Sequence, residues 1–107
     1  MKRTFPLGVV KRWVDGDTVD VDVDLGFKVW SQQRFRLAHI NTPEKKMPGY
    51  QEAIDRANQL APVGSAVVVE CLGYDRYGRW ISEITNKDGI MVNNVLLEEK
   101  LAVRFMD

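Results

Sequence analysis

From Val19 to Asp24, valine and aspartate alternate without a break. Successive side chains of a strand point to opposite faces, so this run is a strand with one apolar and one acidic face. Its neighbours are strands too. Val9 to Val14 is apolar with Lys11 and Arg12 interspersed, and Asp15-Gly16 signals a turn. Gly26 marks the next turn, and Lys28 to Ile40 is long enough for a bent third strand. Asp17 shares parity with Val19, Val21 and Val23, so it extends the inward side of its strand. A carboxylate there needs a partner or an ion, because burying a lone charge is costly; an aspartate bonding its own turn is the plainer reading.

The pattern changes after Pro43. Lys45 to Gly49 is a polar loop, and Tyr50, Ala53, Ile54, Ala57, Leu60 and Ala61 then recur at helical spacing. Glu52 lies in an early turn, where the helix dipole favours acids, and is expected to pair with Arg56. Pro62 and Gly64 end the helix. Val67 to Leu72 and Trp80 to Thr85 are the fourth and fifth strands, and Asp88-Gly89 is a hairpin turn. Asn93 is expected to cap a short helix carrying Val95, Leu96 and Leu97, and Leu101 to Phe105 to be extended. This is a mainly β chain. Five strands with a helix between the third and fourth, and a short one after the fifth, match an OB-type barrel. An α+β sandwich gives the same string.

The bulk numbers suit one globular domain: 107 residues, 45% hydrophobic and 28% charged. No apolar run is long enough for a membrane-spanning helix, and the start shows no apolar signal core, so the expectation leans cytoplasmic. The lone Cys71 excludes an internal disulfide and reads as a buried strand thiol. One His and one Cys cannot build a zinc site. The 15 basic and 15 acidic residues balance, which argues against a nonspecific DNA coater but leaves room for a local basic site.

Three segments carry chemistry. Arg36 to Glu44 places an arginine and a carboxylate at the two ends of a short apolar segment. Upstream is Asp15-Gly16-Asp17-Thr18, downstream Asp75-Arg76-Tyr77-Gly78-Arg79. Arginine forks match phosphate oxygens, and carboxylates hold a hard metal ion or activate water. Each residue also has a plain reading: Arg36 pointing to solvent, Glu44 a loop charge, Arg79 a hairpin residue. The Asp20, Asp22, Asp24 ladder is not an EF-hand loop, because Leu25 and Ser31 stand where the glycine and the bidentate acid belong. It reads as a solvated acidic face that discourages edge pairing. His39 lacks a triad pattern around it and reads as partly exposed or hydrogen-bonded.

Taken together, Asp15-Gly16-Asp17-Thr18, Phe35-Arg36-Leu37, Thr42-Pro43-Glu44, Asp75 to Arg79, Met91-Val92-Asn93 and Leu101-Ala102 resemble the staphylococcal nuclease (thermonuclease) family. The resemblance implies a single OB-fold barrel domain with a calcium site at its mouth. It implies hydrolysis of DNA and RNA phosphodiester bonds, single strands preferred, leaving 3′-phosphate ends. By the same resemblance, Asp17, Asn41 and Thr42 would be metal ligands, Thr42 through its backbone carbonyl. Glu44 would orient or deprotonate the attacking water, and Arg36 and Arg79 would grip the phosphate. Asp15 would hold metal-bound water, and Arg76 and Tyr77 would meet the nucleotide.

Three departures from the family pattern stand out. Asn41 replaces a second aspartate, which implies weaker calcium binding and better competition by manganese. Lys100 replaces a glycine after the second helix, at a cost of about 1 kcal/mol if that position is left-handed. The 107 residues are expected to lack the family's last helix, so its apolar contact is expected to be met by a homodimer partner or by Phe5-Pro6-Leu7. The alternatives to a nuclease are a catalytically weak or inactive OB module that binds nucleic acid, and a protein-interaction domain. Asn41 favours the binder; Arg36, Glu44 and Arg79 together favour the enzyme.

Overall fold

The computed structural model describes residues 2–106. Its elements run β1 (Arg3–Asp15), β2 (Thr18–Asp24), β3 (Trp30–Leu37), β4 (Ile40–Asn41), α1 (Tyr50–Leu60), β5 (Ala66–Tyr74), β6 (Trp80–Asn86), α2 (Val92–Glu98) and β7 (Val103–Arg104). Five strands close a barrel in the order β1-β2-β3-β6-β5, and β4 pairs with β7 in a small ribbon. The barrel, not the sandwich, is the answer. Closure leaves the valine face of β2 nowhere but inside: Val19, Val21 and Val23 are buried with Val10, Phe35, Leu37, Val67, Val69 and Ile84. Fully burying each such side chain contributes about 1.5–3 kcal/mol.

α1 packs Ala53, Ala57 and Ala61 inward, as its spacing predicts. Its last carbonyls have no partner within the helix. Trp13 Nε1 donates to the Ala61 carbonyl at 2.9 Å and Asn86 Nδ2 to that of Leu60, also at 2.9 Å. These bonds tie the helix to β1 and β6. At the other end, a Cβ on Gly16 would lie 2.7 Å from Ala53 Cβ and 3.0 Å from Thr42 Cγ2. Only glycine lets the β1–β2 corner approach the helix and Thr42 this closely.

Several expectations are corrected. The third strand is not one bent piece: it stops at Leu37, turns through His39 at φ 67°, and resumes as β4. The Phe5-Pro6-Leu7 segment is part of barrel strand β1, not a cover, and the β1–β5 register shifts between Phe5 and Gly8. A bulge suits Pro6, which has no N–H to give the ladder. The acidic ladder is solvated only in part: Asp22 and Asp24 are half-exposed, but Asp20 is not. Asp20 is only 8% exposed and accepts from Arg34 Nε at 2.8 Å and Nη2 at 3.0 Å. Arg56 ignores Glu52 and forks onto Glu99 at 2.8 and 2.9 Å, joining α1 to the end of α2.

Asn93 is not a cap. It sits inside α2 with its amide buried. Its Oδ1 accepts from Ile84 N at 3.1 Å, and its Nδ2 donates to the carbonyls of Ala38 at 3.2 Å and Ser82 at 3.1 Å. One side chain thus joins α2, β6 and the end of β3. Lys100 has φ 61°, so the lysine bears the left-handed cost expected for it. Cys71 is a buried strand thiol. Among the described residues no helix is long and apolar enough to cross a membrane.

Candidate active site

The β1–β2 corner carries Asp17 into the protein, 8% exposed. Three partners hold its carboxylate. Thr42 N donates to Oδ2 at 3.0 Å, the Thr18 hydroxyl to Oδ1 at 3.1 Å, and the Arg36 guanidinium lies 3.5 Å from Oδ2. Arg36 does not point to solvent; it is 6% exposed. Its Nη1 donates to the Leu37 carbonyl at 2.8 Å, its Nη2 donates to Asn41 Oδ1, and its guanidinium carbon sits 5.7 Å from the centre of the Phe105 ring. The turn at His39 makes this possible, because it folds Asn41 back beside Arg36.

A second arginine is held the same way. In the β5–β6 loop, Asp75 Oδ1 accepts from Tyr77 N at 2.8 Å and from Arg79 N at 3.0 Å, while Arg79 Nε donates to Oδ2 at 2.8 Å. Burial pushes the Asp75 carboxyl up, but these backbone donors and the Arg79 charge outweigh it and hold it below the usual carboxylate range. The carboxylate therefore stays ionised and aims the guanidinium. The Arg79 and Arg76 guanidiniums lie 5.4 and 5.7 Å from the centre of the Tyr77 ring, within cation–π range.

All nine residues singled out in the sequence line one cleft of about 950 Å³: Asp15, Asp17, Arg36, Asn41, Thr42, Glu44, Arg76, Tyr77 and Arg79. Glu44 is exposed there and forms no ion pair among the described residues, so its oxygens are available to water. Asp15 accepts from the Tyr50 hydroxyl at 3.0 Å, and this bond first, then burial, raises the phenol above its ordinary value. Three contributors were given no role by the sequence reading. Asp75, named there only as part of its motif, anchors Arg79; an aspartate two residues before Tyr77 and four before Arg79 is an Asx-turn signal for that role. Tyr50 read only as an apolar position on α1. Phe105 reaches the cleft because β7 pairs with β4 and Phe105 N donates to the His39 carbonyl at 2.8 Å. No local signal in the sequence reports that pairing.

Whether these residues suit calcium is a question of donors. Asp17, Asn41 and the Thr42 carbonyl are all oxygen, the ligand chemistry of a hard cation. Thr42 Oγ1 is a further oxygen, buried without a hydrogen-bond partner among the described residues. In donor type the set fits such a cation. Among the described residues no three acidic, histidine or cysteine side chains cluster as a metal cage. Arg36 also already engages two of the donors, so a cation must share Asp17 and Asn41 with a guanidinium.

The staphylococcal nuclease homologue family model matches residues 34–107, well over half of the sequence. The chain belongs to the staphylococcal nuclease homologue family. This nuclease homologue is also 36% identical over 90 residues to proteins named "uncharacterized endonuclease" in Escherichia coli and in Escherichia coli O157:H7, an alignment covering 84% of this chain. It covers 55% of those relatives, so the chain spans about half the length of the curated relatives it matches. The family match begins after β2 and omits Asp15 and Asp17. The barrel returns both to the matched residues, Asp17 through its bonds with Thr42 and Arg36 and Asp15 through the Tyr50 hydroxyl.

Proposed function

We propose that this chain is a calcium-dependent nuclease that hydrolyses phosphodiester bonds of single-stranded DNA or RNA and leaves 3′-phosphate ends. The observation that carries this reading is the pairing of two carboxylate-aimed arginines with a free glutamate in one cleft. In the proposed mechanism, Arg36 and Arg79 take the non-bridging oxygens of the scissile phosphate and stabilise the charge that grows as water attacks. Glu44 accepts a proton from that water as its oxygen bonds to phosphorus. The phosphorus–5′-oxygen bond breaks, and the leaving oxygen takes a proton from solvent. Asp17, Asn41 and Thr42 would hold calcium, which when bound offsets phosphate charge and favours the nucleophile. Arg76 and Tyr77 seat the flanking nucleotide; Asp15, fixed by Tyr50, orders water beside Asp17.

Digestion of single-stranded DNA with calcium, with manganese and with EDTA tests the reading. Cleavage with calcium that stops in EDTA supports it, and Glu44→Gln should reduce the rate at least a hundredfold. Equal rates for Glu44→Gln and the natural chain would remove the assigned mechanism. The bond between Arg36 and Asn41 favours one other reading, a binding module in which the guanidinium itself neutralises the would-be metal site. Binding of single strands with no cleavage under either metal would establish that reading instead.

A further inference from the structure

A second concavity opens where β1 begins and β2 ends, the far end of those strands from Asp15 and Asp17, and it adjoins the first through Tyr74 and Trp80 of β5 and β6. β6 pairs with β3 only from Phe35 to Leu37, so the start of β3 has no strand on that side. The opening is a groove of about 280 Å³ walled by Phe5, Val23, Leu25, Phe35 and Trp80, with Gln33 on its lining. That is just under the roughly 300–1,000 Å³ of ordinary ligand pockets, which suits one flat ring system. Its polar groups are few. Gln33 Oε1 accepts from Trp80 Nε1 at 3.1 Å and its Nε2 donates to Ser31 at 2.8 Å. An amide has two donors and two acceptor lone pairs, so one of each is left on Gln33. The Arg3 guanidinium lies 5.1 Å from the Phe5 ring and makes no ion pair among the described residues.

One aromatic pair joins the two concavities. Tyr74 lines the catalytic cleft, Trp80 lines the groove, and their rings meet edge-on with centres 4.2 Å apart. Aromatic walls beside guanidinium groups are what a single strand requires of a sequence-tolerant track: faces for its bases and cations for its phosphates. We propose that this groove is a base subsite, in which a nucleotide beyond the one held at Tyr77 crosses Tyr74 and Trp80 and buries its base against Trp80 and Phe5. Gln33 bonds the edge of that base and Arg3 its phosphate. The proposal rests on the nuclease reading and adds a consequence: a base still stacked in a duplex cannot enter, so this subsite selects unpaired strands.

Photo-crosslinking tests it in the unaltered chain. Phosphorothioate hexathymidylates carrying 5-iodouracil at one position each are irradiated with the protein, and the adducts are mapped by mass spectrometry. The expected result is adducts at Tyr77 or Phe105 from one position and at Trp80 or Phe5 from a position one or two nucleotides away. Adducts confined to the cleft residues from every position overturn the subsite and leave the nuclease reading standing. No adduct, together with no cleavage of ordinary hexathymidylate under calcium or manganese, overturns both. In steady-state kinetics, Trp80→Leu should shrink the KM advantage of hexathymidylate over a dinucleotide about tenfold, and Gln33→Ala should shrink it by a smaller factor. A chain-length advantage unchanged by Trp80→Leu overturns the proposal.

Discussion

Replacing Arg36 should separate what this residue does for the fold from what it does for the reaction. The Arg36 and Asp17 side chains are only 7% and 12% exposed, 3.5 Å apart. Arg36→Met keeps a long apolar stem but removes the charge, leaving a buried carboxylate with only Thr42 N and Thr18 Oγ1 as donors. Removing one partner of a buried pair costs about 3–5 kcal/mol. The two remaining donors put this case near 3 kcal/mol. At roughly 4–8 °C per kcal/mol for a domain of this size, the melting temperature should fall by about 12–24 °C. Adding Asp17→Asn should restore part of the loss, since removing both charges leaves nothing unpaired. Arg36→Lys behaves differently. An ammonium keeps the charge beside Asp17, so stability should drop by only about 1 kcal/mol. It cannot reach the Leu37 carbonyl, Asn41 and a phosphate with one planar fork. Cleavage should therefore fall by about a hundredfold to a thousandfold, the magnitude of one lost transition-state donor. Thermal melts by circular dichroism and initial rates on single-stranded DNA read the two effects. An Arg36→Met melt within about 3 °C of the natural chain, or an Arg36→Lys rate near the natural one, would refute this account of the residue.

Asn41→Asp should tighten calcium binding about tenfold or more, or ~1.4 kcal/mol and up, by isothermal titration calorimetry; unchanged affinity would mean residue 41 is not a ligand. Asn93→Ala should destabilise the barrel by about 3 kcal/mol or more in urea titration, because it strips partners from Ile84 N and from the Ala38 and Ser82 carbonyls. A loss below about 1 kcal/mol would show that water replaces the amide. Asp75 has a depressed folded-state pKa, so its contribution is complete above the unfolded aspartate value near ~4 and fades as pH falls through the lower folded value. Asp75→Asn should therefore destabilise the protein at pH 7 but match it at the acid end of that window; an equal difference at both pH values would remove Asp75 as the cause.

The sequence set out most of the barrel and nine of the residues that line the cleft, for identifiable reasons. Period-two patterning from Val19 to Asp24 and the helical spacing from Tyr50 to Leu60 are local properties, and the structure keeps both. The motifs that point to phosphate chemistry are short and contiguous, so residue identity was enough to pick them out. Errors gathered where a polar side chain had to choose between near and distant partners. Asn93 looks like a cap, yet its amide serves two groups of β6 and the Ala38 carbonyl just past β3. Arg56 has Glu52 one turn away and takes Glu99 across the helix pair. Asp20 reads as solvent-facing until Arg34 of the next strand covers it. Each outcome depends on which backbone groups closure leaves unpaired, and no local window contains that information.

By itself, then, the chain of residues determined most of the barrel strands, the main helix, and which short motifs place arginines and carboxylates near turns. Tertiary structure alone decided that Asp17 and Arg36 form a buried pair, that the β4–β7 ribbon brings Phe105 to the cleft, and that a groove opens beyond Trp80. The physical reason is range. Propensity and periodicity act over a few residues, whereas a buried charge or an orphaned amide is satisfied by whatever barrel closure sets beside it.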